Sequence, residues 1–393
     1  MRDPLDRRTF LRRTAQGIGA LALAPNLLAC EEAARRPAAG DLLRHGPLSP
    51  ADANGLRLPA GFSSKVVARS GEPVPGTTHN WHSFPDGGAT FAVGGGDFVY
   101  VSNSEVGVAL PVSGVGAIRF DRQGEVVDAY PILRRSTWNC SGGKTPWETW
   151  LSAEEYDRGI VWDCDPLGER DAVRREALGV FKHEAVAVDP RTGCVYLTED
   201  RATGRFYRFT PARFTGGPDD LAAGVLEVMR AQDGVVTWLP VPDPSATSVP
   251  TWEQVPESTA FDGGEGVWFH EGRVFFTTKG DNRVWLHDVD AGTLEVLYDA
   301  ADYAEPVLTG VDFLLVTEGG DIVVGEDGGD MQIVAISPDG RVAPLVQVVG
   351  HDGSEITGIA FDPSLRRLLF SSQRGADGAP GGVTYMVEGP FFG

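Results

Sequence analysis

Residues 183–200 read HEAVAVDPRTGCVYLTED. A short apolar strand runs through Val188, Pro190 and Gly193 break it, and a second apolar strand ends in Thr198-Glu199-Asp200. Two such strands around a turn-forming break predict a β-hairpin. The phrase recurs as GATFAVGGGDFVYVSNSE (88–105), GEGVWFHEGRVFFTTKGD (264–281), VDFLLVTEGGDIVVGEDG (311–328) and TGIAFDPSLRRLLFSSQR (357–374). Self-similarity at a fixed period marks a repeat architecture. Taking one residue at the end of each second strand gives the markers Glu105, Glu154, Glu199, Lys279, Glu326 and Gln373, spaced 49, 45, 80, 47 and 47 apart. The long spacing holds an insertion within 210–258, where PVPDPSATSVP reads as loop. Six markers at blade-sized spacing predict an all-β, six-bladed β-propeller over residues 61–393. A flat sandwich does not explain a repeat of this length. The two chain ends are expected to share the closing blade.

Composition agrees. The 393 residues include 50 Gly and 27 Pro, which suits many tight turns and argues against a helical bundle. The formal net charge of −21 repels nucleic acid and offers no basic patch to anionic lipid.

The first thirty residues read as an address. DRRTFLRR (6–13) carries paired Arg7 and Arg8 ahead of Phe10 and Leu11, followed by the apolar GIGALALAPNLLA ending at Ala29. That arrangement is similar to a twin-arginine export signal. Leu27-Leu28-Ala29-Cys30 resembles a lipobox, which would lipidate Cys30 and anchor the chain. Residues 31–60 read as a polar tether. The expected location is periplasmic, as an envelope lipoprotein, or secreted. Cys140, Cys164 and Cys194 are too few and too scattered for a disulfide framework.

The repeat also places charge. A second polar residue stands 14 or 15 positions before several markers: Cys140 before Glu154, Glu184 before Glu199, Glu265 before Lys279 and Asp312 before Glu326. Hairpin pairing brings such residues together, and equivalent positions in every blade lie at equal radius. Glu105, Cys140, Glu154, Glu184, Glu199, Glu265, Asp312 and Glu326 are therefore expected at one end of the axis. Buried carboxylates must protonate, pair or bind metal. The nearest cations are Lys279, Arg201, Arg374 and His183, too few to pair them all. Many oxygen ligands favour Ca²⁺, and a thiolate adds a place for iron or zinc.

NCSGGKTPWETWLSAEE (139–155) resembles the NC-[AS]-GG-x-TPW-x-TW-L-x-x-EE signature of the PhoX alkaline phosphatases. FKHEAVAVDPRTGCVYLTEDR, FYRF, GEGVWFHEGRVFF and VVGEDGG resemble further segments, so the resemblance runs from about residue 80 to 374. It implies an exported six-bladed propeller that hydrolyses phosphate monoesters with Fe³⁺ and Ca²⁺ ions on the axis. Cys140 would ligate iron. Glu154 or Glu155, Glu184, Glu265 and Asp312 would ligate iron or calcium, with Glu199, Asp200, Glu326 and Asp327 as ligands or support. Arg374 and Lys279 would stabilise charge on the phosphoryl group. Three positions depart from the family pattern: Asn103-Ser104-Glu105 replaces NHE, Val311-Asp312-Phe313 replaces PDN, and Gly263 replaces an arginine. Paraoxonase-type propellers share the fold and an axial calcium but lack the NCSGG-TPW phrase. The sequence thus supports a phosphate-ester hydrolase first. The alternatives are a calcium-dependent lactonase or organophosphate hydrolase and a non-catalytic surface-binding propeller with a structural metal. The chain reads as a monomer.

Overall fold

The structure is a computed structural model that describes residues 41–107, 113–376, 378 and 381–392. The stretch expected as an export signal, with its paired arginines and Cys30, lies outside the described residues. No helix among the described residues is long and apolar enough to cross a membrane.

Each repeat folds as an antiparallel hairpin. The first strands are Pro85–Gly94, Asn139–Lys144, His183–Val188, Gly264–His270, Val311–Val316 and Ile356–Phe361. Each packs against the next, and the last packs against the first, so they form a closed ring. The second strands are Asp97–Ser104, Trp150–Glu154, Val195–Glu199, Arg273–Thr278, Ile322–Glu326 and Arg367–Ser372. They pair on the outer side of the ring, and further strands continue outward. The expected all-β, propeller-like arrangement is present. Hydrogen bonding, however, divides it into four sheets of four or five strands and one of nine. The nine-stranded sheet both begins and ends on the ring, at His183–Val188 and Gly264–His270. Its halves meet where Val235 pairs with Thr293.

The chain ends close the ring together. Ser63–Arg69 pairs with Val383–Glu388. Leu56 pairs with Val348 in the neighbouring sheet. Part of the stretch expected as a tether is thus docked, with Leu42 and Leu56 fully buried in the core. Apolar burial of such side chains is worth roughly 1.5–3 kcal/mol each.

Two devices shape the inner strands. Every first strand carries a register shift near its start: between Asn139 and Gly142, His183 and Val186, Gly264 and Val267, and Val311 and Leu314, for example. An irregularity of this kind bends a strand and re-aims its side chains. Close approach is the second device. A Cβ on Gly142 would lie 2.0 Å from the Leu151 carbonyl oxygen, and one on Gly143 would lie 1.8 Å from that of Val186. The paired glycines of NCSGG are there because neighbouring backbones leave no room for a side chain.

Three markers prove to be structural. Glu154, Glu199 and Glu326 are the last residues of their second strands. Each accepts a hydrogen bond from the backbone N–H six residues further on: Ile160 at 3.2 Å, Arg205 at 3.1 Å and Gln332 at 2.8 Å. Glu154 also accepts from Ser136 Oγ and Trp162 Nε1, Glu199 from Tyr207, and Glu326 from the Thr309 N–H. These buried carboxylates close the turn that leads into the third strand. Replacing Glu326 with Ala leaves two N–H groups without an acceptor, at a cost of about 1–3 kcal/mol. The expected outcome is a melting temperature lower by a few degrees with bound metal unchanged, measured by thermal unfolding and elemental analysis.

Candidate metal centre

Side chains alternate along an extended chain. The residue after each of Glu154, Glu199 and Glu326 therefore faces the other way, towards the axis, as the markers Glu105, Lys279 and Gln373 already do. The axial set is Glu105, Glu155, Asp200, Lys279, Asp327 and Gln373, each directly after the last residue of a second strand. The first strands contribute Asp86, Cys140, Glu184, Glu265 and Asp312 as their second residues. Glu355, one residue before Ile356–Phe361, completes the group.

These side chains form a continuous chain of trios. Asp86, Glu105 and Cys140 offer ligand atoms all within 4.8 Å of one another. The same holds for Cys140, Glu155 and Glu184, for Glu184, Glu265 and Asp312, and for Asp312, Asp327 and Glu355. Cys140, Glu184 and Asp312 each belong to two trios. The Cys140 thiol donates to Glu184 Oε1 at 3.3 Å. Its backbone is held by the fully buried Asn103, whose Nδ2 donates to the Cys140 carbonyl at 3.0 Å and to that of Ser141 at 2.7 Å. Asn103 Oδ1 accepts in turn from Trp150 Nε1 and Ser152 Oγ. The second tryptophan of the TPW-x-TW phrase, Trp150, thus acts on the cysteine through Asn103.

Cations stand at the edge of the acids. Lys279 Nζ lies 2.9 Å from Glu265, 3.3 Å from Asp327 and 3.9 Å from Asp312. Lys182 Nζ lies 2.7 Å from Glu155 and 3.0 Å from Asp200. Arg374 lies 2.9 Å from Glu355 and 4.0 Å from Asp327. Gln373 Nε2 donates to Asp86 at 2.5 Å and to Glu105 at 2.7 Å.

The acids outnumber these partners, and their proton affinities show it. Two unit charges 4.8 Å apart repel by about 3.5 kcal/mol at an effective dielectric of about 20. Burial, then Glu105 and Asp312, raises Asp86 well above its ordinary range. Burial, then Glu265, does the same to Glu184, and burial, then Asp312, to Glu265 and Glu355. Burial, then Asp86 and Glu184, raises the Cys140 thiol. Glu155 is pushed up to about 8 by burial and Glu105. Asp312 reaches about 6 through burial, against the pull of Lys279. Asp200 is the exception: burial pushes it up, but Lys182 and Lys279 outweigh burial and hold it low.

The donor set suits metal. Glu184 Oε2 and Gln373 Oε1 are buried without a hydrogen-bond partner. Eight carboxylates and one thiol converge in the four trios. Hard cations take oxygen ligands of this kind, and the thiol is a ligand for a transition metal.

The sequence expectations divide cleanly. Cys140, Glu155, Glu184, Glu265, Asp312, Asp327 and Glu105 come together in the trios, and Asp200 faces them through Lys182. Lys279 and Arg374 stand beside the acids. Glu154, Glu199 and Glu326 do not join, because they point the opposite way and cap turns. His183 is no cation: burial lowers its pKa to about 3. Four site residues escaped the sequence reading: Asp86, Glu355, Lys182 and Asn103. The first hairpin is longer, so Asp86 stands 19 residues before Glu105 instead of 14 or 15. Glu355 and Lys182 occupy the position two before the axial residue of the first strand (357 and 184), which the repeat gave no reason to watch.

The fold and site define an all-β propeller-like protein with an acid-rich centre on its axis. Family comparison matches residues 157–375, more than half of the chain, to the model described as alkaline phosphatase PhoX. The chain belongs to the PhoX alkaline phosphatase family, which bears out the resemblance in its sequence. Among solved structures it is similar to Pseudomonas fluorescens PhoX in complex with vanadate, a transition state analogue. That likeness has 16% identity and a TM-score of 0.73 over 90% of this chain and 98% of that one. A Bacteroides thetaiotaomicron protein of unknown function matches at 11% identity and a TM-score of 0.52, over 86% of this chain and 84% of that one. At such identities these likenesses speak for the fold. Comparison with curated proteins finds no match.

The raised acids set the pH response of metal-free protein. They bind protons in the folded state that the unfolded chain releases, so stability is fully present below the ordinary carboxylate range. It falls as pH rises through about 6, where Asp312 ionises, to about 8, where Glu155 does. Melting temperatures of chelator-treated protein between pH 5 and 8.5 should decline with pH, and added metal should flatten the decline. A rise with pH would contradict the electrostatics described here.

Proposed function

We propose that the protein is an exported phosphate-monoester hydrolase that works with a mixed calcium and iron cluster on the propeller axis. The observation that carries this reading is the unbroken run of trios from Asp86 to Glu355, with Cys140 shared by two of them. Family membership supports phosphate-ester chemistry. The nine-stranded sheet is read as two blades joined edge to edge, which makes six blades around six inner strands. The twin-arginine-like signal supports export of a folded, metal-loaded chain, with Cys30 as a lipid anchor and the propeller as a monomer.

Asp86, Glu105, Cys140, Glu155, Glu184, Glu265, Asp312, Asp327 and Glu355 are the residues that would hold the ions. When bound, such ions polarise phosphoryl oxygens and lower the pKa of water. The remaining work belongs to the chain's own groups. Lys279, Lys182 and Arg374 surround the acids with half-buried N–H donors, suited to the oxygens of a phosphate dianion. Arg374 offers a planar fork that matches two such oxygens. As a water oxygen bonds to phosphorus and the ester P–O bond breaks, charge moves onto the phosphoryl oxygens and the departing alcohol, which takes up a proton from water, and donors already in place stabilise that charge without reorganising. Asn103 fixes the Cys140 backbone, and Gln373 holds Asp86 and Glu105 at one spacing. Gly263 leaves its place in the site without a side chain: a Cβ there would stand 3.4 Å from Asp200 Oδ1. Lys182 reaches the same Asp200 and supplies positive charge there.

Protein supplied with calcium and iron should hydrolyse 4-nitrophenyl phosphate and lose that activity to a chelator. Cys140→Ser should lower bound iron in elemental analysis, and turnover should fall about 100-fold or more. Absence of turnover with both metals restored, or unchanged iron in the variant, would count against the proposal.

A further inference from the structure

A cavity of about 360 Å³ adjoins the acids on the far side of Lys182. Lys182 lines it while pairing with Glu155 and Asp200. Asp200 faces the axis, whereas Glu199 and Arg201, its chain neighbours, line the cavity. The opposite wall is the loop that follows Val235–Pro240, contributing Thr247, Ser248 and Trp252.

This wall is pinned in place. Arg158 donates to the Ala246 carbonyl at 2.7 Å and to that of Ser245 at 3.3 Å. Thr251 Oγ1 donates to the Val180 carbonyl at 2.7 Å, and the Val180 N–H donates to that of Pro244 at 2.8 Å. Gln254 Nε2 ties the loop internally to the Asp243 and Val249 carbonyls. A surface ordered in this way before binding loses little entropy when a ligand arrives.

The lining chemistry selects a ligand class. The Arg201 guanidinium lies over the Trp252 ring, 5.1 Å from its centroid. Guanidinium and indole both stack on planar π systems. Positive charge is already neutralised here, Arg201 by Asp157 and Glu199 and Lys182 by Glu155 and Asp200. Arg158, the third cation of the lining, is held by the Ala246 and Ser245 carbonyls and faces the same cavity. Glu199 Oε1 lies in the same wall, faced by Arg201 Nε at 3.7 Å and making no full hydrogen bond, which marks it as the wall's acceptor for a ligand hydroxyl or amino group.

We propose that this cavity is the subsite for the alcohol part of the substrate, and that it takes a planar ring bearing hydrogen-bond donors, as in a nucleoside monophosphate. The proposal rests on the phosphatase reading for its catalytic consequence, but the binding of the ring does not need turnover. The test compares wild type, Trp252→Ala and Trp252→Phe as full-length, metal-loaded protein. Adenosine 5′-monophosphate and glycerol 3-phosphate are the substrates, and adenosine binding is measured separately by calorimetry. The expected result is a kcat/KM ratio of nucleotide to glycerol phosphate about 10-fold lower in Trp252→Ala, with the change in KM, and largely restored in Trp252→Phe. Adenosine affinity should fall by a similar factor. An unchanged ratio, or no adenosine binding to wild type, overturns the subsite. Absence of turnover on both substrates together with Trp252-dependent adenosine binding refutes the phosphatase reading and leaves the subsite standing.

Discussion

Carboxylates within 4.8 Å of one another resist sharing the same space, at about 3.5 kcal/mol for each charged pair. A whole domain is stable by only about 5–15 kcal/mol. A few such pairs, fully ionised, would consume that margin. Protons or cations must therefore occupy the axis, and the protein must hold the acids together against their repulsion. Much of the architecture can be understood as the answer to that constraint.

The inner strands meet the constraint by closure. Each of the six inner strands packs against its two neighbours around the ring, so none can move outward alone, and the pairing of Ser63–Arg69 with Val383–Glu388 ties the two chain ends together in one sheet. Register shifts near the start of each first strand turn one polar side chain of every repeat towards the axis. Glycines 142 and 143 let the Cys140 strand approach its neighbours at backbone distance. One step out, Glu154, Glu199 and Glu326 hold the turns that follow the second strands, so the axial residues beside them keep their direction. Acidic residues thus serve two purposes one position apart, as internal staples and as a converging donor set.

That one-residue difference explains how far the sequence could be read. The hairpin phrase, its recurrence and the convergence of polar strand ends follow from local alternation and spacing. Choosing between Glu154 and Glu155, Glu199 and Asp200, or Glu326 and Asp327 requires the exact strand end, because each residue points opposite to its neighbour. Asp86 was hidden by a longer hairpin. Asn103 and Lys182 were hidden because their partners lie in other blades: Asn103 reaches the carbonyls of Cys140 and Ser141, and Lys182 reaches Glu155. The cavity wall around Trp252 was legible only as loop, since its order comes from contacts with Arg158 and Val180.

The sequence by itself determined an all-β repeat with acids and one cysteine at its strand ends, and it carried the family motif. These properties are written in periodicity and in a phrase of adjacent residues, so no fold is needed to see them. Tertiary structure alone decided which acid of each adjacent pair faces the axis, which cations stand beside it, and how the loop after Pro240 forms a cavity next to Lys182. Those outcomes depend on strand register and on contacts between blades, and side-chain direction at a strand end is set by pairing with residues far away in the chain.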